Sequence, residues 1–335
     1  MKFIEDLTEF LLLPIFIFTY IVTSLLLLYI QIRKCFIKIV KIKVRDPIIK
    51  LQISKLFRQT QYFHKEEQED ATLKFNLIQS NKYNVAVIDK AYQKTILLIP
   101  PFLETHQNTT IESAAVFFLQ QKYNVHVLIA PGILSPATEI NHEFIYTQNL
   151  EFYLTDYPNS NIIAYEFGCR KPLELLQKGL QIHGKIVLIN CNFDWFQVIH
   201  TVINKHWNEK AGKTLKDYYY RNKDLLNAQA GSKELIDKFI RKQTFSSFDN
   251  AFFVENYGFY SQEDMYQTMF HIPENLQKEF IVINAKTSLT TNSYFHNLTT
   301  SSKFNYIVLS NGDNVSVNGY GDDLFLEIAK IWITQ

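Results

Sequence analysis

Short apolar runs bounded by polar turns alternate with segments of helical period along most of this chain. Runs at 73–78 and 83–88 predict two strands split by a polar turn, the antiparallel edge of a sheet. Further strands are predicted at 95–99, 125–130, 161–165 and 185–190. Helical patterns lie between them, near 111–121, near 143–154 and from Pro172 onward. Apolar strands separated by helices predict an α/β fold, with a mostly parallel sheet covered on both faces. The rhythm breaks over 192–276, a mainly helical and aromatic stretch that reads as a cap inserted over the sheet. Strands resume at 280–285 and 305–309, and 322–333 reads as a closing helix. At the other end, 10–30 is uncharged, a run of about 21 residues, enough to cross a ~30 Å hydrocarbon core as one helix. The predicted organisation is a transmembrane helix and basic juxtamembrane segment over 1–45, followed by one globular domain over 46–335.

The flanks orient that span. Glu5, Asp6 and Glu9 precede it, whereas Arg33, Lys34, Lys38, Lys41, Lys43 and Arg45 follow it. The positive-inside rule then leaves the globular domain on the cytoplasmic or matrix side. A cleaved signal peptide would have a shorter apolar region and a basic start, so a retained single-pass anchor is expected. Lys34, Lys38, Lys41 and Arg45 recur at helical spacing, with Cys35, Ile39 and Ile42 on another face. That pattern fits a basic amphipathic helix on the membrane surface or a solvated linker. A span followed by such a stretch resembles the internal import signals of some mitochondrial inner-membrane proteins, and it would also suit a signal-anchored endoplasmic-reticulum protein. The inner membrane is the favoured expectation.

Composition mainly excludes. Among 335 residues, 34 Lys and Arg balance 33 Asp and Glu, so no global field attracts nucleic acid. Cys35, Cys169 and Cys191 have no metal spacing, and the nine histidines form no H-E-x-x-H pair; no metal and no cofactor are expected. His200 and His206 read as ordinary cap residues. The aromatic residues concentrate in the cap, from Trp195 to Tyr260, where core packing, an acyl-chain pocket and a protein interface are all open explanations.

The chemistry should centre on Ala164-Tyr165-Glu166-Phe167-Gly168, which joins the strand 161–165 to a helix starting near Lys171. A strand, a tight turn with small residues two before and two after its centre, and a helix form the layout of a nucleophile elbow, G-x-S-x-G. Ala164 and Gly168 meet its steric demand. Glu166, at the nucleophile position, does not meet its chemical demand.

Other landmarks follow in order. Residues 95–102 resemble the strand and oxyanion turn of the α/β-hydrolase superfamily, in its N-terminally membrane-anchored, esterase and phospholipase-like branch. Ala130-Pro131-Gly132 through Ser135-Pro136 resembles that family's loop after the next strand, and Asn192-Phe193-Asp194 its Pro-Phe-Asp segment. Phe248-Asp249-Asn250, Tyr257-Gly258-Phe259 and Glu263-Asp264-Met265-Tyr266 resemble its cap motifs. The resemblance implies an α/β-hydrolase fold with a degenerate triad. Glu166 stands for the nucleophile; Ser288, beside Thr287, for the acid; and Asp313 for the histidine. Phe102 and Phe167 are vestigial oxyanion positions, with Pro101 replacing a glycine. His296 could substitute only through a rearrangement, and Cys169 reads as a buried, inert thiol.

The triad needs a base to take the nucleophile's proton and a carboxylate to hold that base. With all three positions changed, no enzyme activity is expected. The expected function is a catalytically inactive accessory or scaffolding subunit of a larger membrane complex, with a respiratory or ATP-synthase-type assembly as the natural host if the anchor is an import signal. The expected partners are the membrane and the other subunits, and lipid is a further candidate. The alternatives are a lipid or acyl-ester binding module and a divergent membrane-anchored, serine-hydrolase-like esterase.

Overall fold

The computed structural model describes residues 22, 24, 25, 39–59, 73–80, 82–101, 103–137, 148–192, 205–269, 278–285, 304–309 and 322–335. The strands are β1 (Ile39–Lys43), β2 (Asn76–Gln79), β3 (Asn84–Ile88), β4 (Lys94–Ile99), β5 (Tyr123–Ile129), β6 (Asn161–Tyr165), β7 (Ile186–Ile189), β8 (Phe280–Ala285) and β9 (Phe304–Leu309). Helices α1 (Pro47–Gln59), α2 (Thr109–Gln120), α3 (Gln148–Asp156) and α4 (Arg170–Gln177) precede the cap. The cap carries α5 (Lys205–Arg221), α6 (Lys223–Gln229), α7 (Lys233–Lys242), α8 (Phe245–Asp249) and α9 (Gln262–Met269), and α10 (Asp322–Thr334) closes the chain.

One sheet holds all the described strands in the order β2-β3-β5-β4-β6-β7-β8-β9-β1. The strands from β4 to β9 run parallel in that order, and β3 is antiparallel to both neighbours. Setting β1 aside, this is the strand order of the α/β-hydrolase fold, with its antiparallel second strand. The cause is legible residue by residue. Every position of β5 is buried, as a strand covered on both faces requires. Ile96, Leu98, Val125 and Val127 face one core, packed under α1, α2 and α10, while Leu97, Ile99, Leu128 and Ile162 face the other, with Leu150 and Tyr153 of α3 and Leu175 of α4. A third apolar cluster, formed by Leu215, Tyr219, Phe239, Phe245, Phe248 and Phe252, lies inside the cap and includes Phe167 of the elbow.

Two expectations need correction, and one falls outside the description. The reading of 34–45 as a basic amphipathic helix does not hold for 39–43, which form β1 and pair antiparallel with β9. Alternating Ile and Lys satisfies a period of two as well as it satisfies a helix, and the free edge of β9 offers backbone partners that a surface helix does not. The sheet therefore begins before residue 46. Helix α1 was not predicted at all, although Ile49 and Ile53 bury one face of it and the Asp46 side chain accepts from the N–H groups of Ile48 and Ile49 at 2.7 and 3.2 Å. Among the described residues no helix is long and apolar enough to cross a membrane. The proposed span over 10–30 lies outside them, apart from Val22, Ser24 and Leu25.

Candidate functional site

The carboxyl ends of the parallel strands are where this architecture places ligands. Three non-glycine residues there have left-handed backbones: Leu103 beyond β4 (φ +53°), Glu166 beyond β6 (φ +46°) and Asn190 beyond β7 (φ +50°). Such conformations cost on the order of 1–3 kcal/mol for a side-chain-bearing residue and persist only where the surroundings enforce them. At the elbow the enforcement is visible. Gly168 lies so close to β4 that an added Cβ would meet the Pro100 carbonyl oxygen at 2.5 Å and Ile99 Cγ2 at 2.9 Å. The segment Glu166–Cys169 is a single 3-10 turn, and α4 follows it directly at Arg170, one residue earlier than the sequence suggested. The elbow therefore keeps its strained geometry around Glu166, which is only 5% exposed.

Cys169 is fully buried, and its thiol donates to the Ala164 carbonyl at 3.2 Å and lies 3.6 Å from that of Ile189. Burial pushes this thiol's pKa well upward, and the neighbouring Cys191 and Glu166 add to the effect. It is a protonated packing group and no thiolate nucleophile.

A buried polar network joins two cap helices, and its charge is felt at the elbow helix. Asp249, at the end of α8, accepts hydrogen bonds from the Tyr266 hydroxyl and from Gln262 Nε2 (3.4 Å), both on α9. The Ser246 hydroxyl donates to Gln262 Oε1 at 2.8 Å. On the other side, Arg170 Nη2 lies 3.3 Å from Glu174 Oε2, while Glu174 Oε1 pairs with Lys178 at 3.0 Å. Burial lowers the Arg170 pKa to about 10, against the pull of Glu174, so Arg170 remains a cation at neutral pH and its field reaches Asp249 and Tyr266. Burial raises the Asp249 carboxyl to about 8, opposed by the two hydrogen bonds and by Arg170. At pH 7 this carboxyl is therefore mainly protonated. Asp249 and Tyr266 come from two of the three cap motifs noted in the sequence, and the structure brings them together. Arg170 was missed.

A second clamp had no sequence signal. Asn222, between α5 and α6, accepts from the Ala137 N–H (2.9 Å) and donates to the Gly132 carbonyl (3.0 Å) and the Tyr218 carbonyl (2.9 Å). The Tyr218 hydroxyl donates to the Pro131 carbonyl at 3.2 Å, and Arg221 donates to that of Ile133. The 131–137 loop is thus pinned under the cap.

Among the described residues, a cavity of about 40 Å³ lies in front of the elbow, lined by Pro100, Pro101, Leu103, Ile133, Phe167, Gly168 and Lys171 among others. That is room for about three water molecules, far below the ~300 Å³ of a small ligand pocket. Phe245 of the cap lies over the elbow, its ring 5.9 Å from that of Phe167. Two histidines with described surroundings are occupied elsewhere. His126 Nδ1 hydrogen-bonds the Tyr153 hydroxyl at 2.8 Å, and burial lowers its pKa to about 4. His106 packs on Phe75 at 5.1 Å. Phe102, Thr287, Ser288, His296 and Asp313 lie outside the described residues, so the oxyanion, acid and base positions inferred from sequence have no described geometry. Among the described residues no group of three or more His, Cys, Asp or Glu side chains is placed to hold a metal.

No protein-family model matches the chain, and no curated protein matches it in sequence. Solved structures do resemble it. A serine hydrolase from Cycloclasticus zankles is 15% identical, with a TM-score of 0.46 over 78% of this chain and 96% of that one. An esterase from Pyrococcus furiosus is 10% identical, at 0.47 over 81% and 98%. The mouse alpha/beta hydrolase domain-containing protein 10 is 13% identical, at 0.47 over 77% and 97%.

Proposed function

We propose that this chain is a catalytically silent α/β-hydrolase-fold protein that serves as an accessory or scaffolding subunit of a membrane complex, tethered by the segment 10–30. The observation that carries the reading is Glu166 on an intact, strained elbow with the cap seated over it. Acyl transfer needs a nucleophile that a neighbouring base can deprotonate and room for a tetrahedral intermediate. Glu166 supplies a carboxylate in place of that nucleophile, and the cavity that the described residues form before Phe167 and Gly168 has room for only a few waters. A docked, polar-locked cap is also what a rigid scaffold needs. An inner-membrane respiratory or ATP-synthase-type assembly is the host suggested by the basic flank.

Mild-detergent extraction from native membranes, followed by sizing and mass spectrometry, tests the assembly. Migration in one large complex at fixed stoichiometry is expected, and a lone chain of about 40 kDa would refute it. Hydrolysis of short-chain p-nitrophenyl esters tests the silence separately. Turnover that disappears in a Glu166→Ala variant would overturn the inactive reading.

A further inference from the structure

At the opposite end of the sheet from the elbow lies a groove of about 530 Å³, lined by Ala91, Gln93, Lys94, Gln121, Lys122, Tyr123 and Lys330, with Tyr92 and Thr334. Strands β4 and β5 are parallel and in register, Lys94 opposite Tyr123, so their amino-terminal ends open side by side. The five steps from Lys94 to Ile99 put this groove about 17 Å from the elbow cavity, at ~3.3 Å per residue. Its size falls within the ~300–1,000 Å³ range of small-molecule sites.

The charges are one-sided. Three lysines and no carboxylate line the groove. Lys330 is shared, 3.6 Å from Glu327 and 5.9 Å from the Phe117 ring centroid. Lys94 and Lys122 have no recorded ion pair among the described residues, and both are exposed. A solvated lysine face would be convex and loosely held. Here the wall is fixed by Asn124, 7% exposed, whose Oδ1 accepts from the N–H groups of Lys90 (3.0 Å) and Tyr92 (3.1 Å) and whose Nδ2 donates to the Tyr92 carbonyl (2.8 Å). The chain turns sharply on both sides, with Ala91 at φ +57° and Lys122 at φ +62°. Three lysines along one concave surface, among amide and hydroxyl groups, suit an anion carrying several charges close together.

We propose that this groove binds a small phosphate-bearing ligand with two or three phosphates, of the nucleoside diphosphate class, held by Lys94, Lys122 and Lys330. The site is independent of the elbow and of the scaffold reading.

Calorimetric titration of the detergent-solubilised full chain with ADP tests it. Saturable one-site binding is expected, with a Kd of about 10–100 μM at low salt. The Lys94→Gln/Lys122→Gln double variant should weaken it by about tenfold or more, and raising NaCl to a few hundred millimolar should weaken it by about fivefold, because the contacts are solvent-exposed charges. A Lys213→Gln control, at an exposed lysine of α5, should bind as the parent does, and matching melting curves of the variants exclude misfolding. No saturation by about 5 mM ADP, or equal affinity in the double variant, would overturn the proposal.

Discussion

The locked cap predicts a pH dependence that one substitution should remove. Asp249 is buried at 2% exposure and titrates near pH 8 in the folded chain, against 3.8 ordinarily. The folded pKa lies above the unfolded one, so the folded chain holds a proton that the unfolded chain has already released. The stability this contributes is fully present below about pH 4 and is lost as pH rises through 8. From pH 6 to pH 8.5 about two pKa units of linkage disappear, about 2.5 kcal/mol at 1.36 kcal/mol per unit. In Asp249→Asn a neutral amide oxygen can still accept from Tyr266 and Gln262 and nothing titrates. The variant should therefore resemble the parent at pH 6, within about 1 kcal/mol, and exceed it by about 2 kcal/mol at pH 8.5. Urea unfolding of both proteins in mild detergent, followed by circular dichroism at pH 6, 7, 8 and 8.5, measures the two slopes. Parallel slopes would show that Asp249 is ionised throughout, with Arg170 outweighing burial, and would refute the reasoning.

Three further outcomes are expected. Gly168→Ala should destabilise by about 2–3 kcal/mol, read as a lowered melting temperature, because its Cβ would meet the Pro100 carbonyl oxygen at 2.5 Å. Asn222→Ala should cost about 2–3 kcal/mol by stranding the Ala137 N–H and the Gly132 carbonyl, and hydrogen exchange should accelerate at 131–137 ahead of the sheet. His126, depressed to about 4 by burial, contributes stability that is complete above pH 6.5 and is lost as pH falls toward 4, up to about 3 kcal/mol. A His126→Gln variant should flatten that acid limb in the same unfolding measurements.

Much of the fold could be read from periodicity. A strand buried on both faces has to be apolar throughout, so β5, β6 and β8 stand out locally, and the Ala164-to-Gly168 spacing marks the elbow because only small residues fit against β4 there. Chemistry that depends on residue type was equally plain at Glu166, where no tertiary arrangement changes a carboxylate into a hydroxyl. What the sequence could not separate was a strand from a helix at 39–43, where period-two and helical spacing both fit; the unpaired edge of β9, nearly 270 residues away, decided it. Contacts between distant segments were also out of reach. Nothing local says that Arg170 on the elbow helix will sit in the field of Asp249 and Tyr266, or that Asn222 will pin Gly132 from 90 residues away. Nor does it say that the amino ends of β4 and β5, with the end of α10, will gather three lysines around one groove. Local pattern determines which face of an element is apolar; which elements then meet, and which polar groups are buried between them, is decided when the whole chain excludes water together.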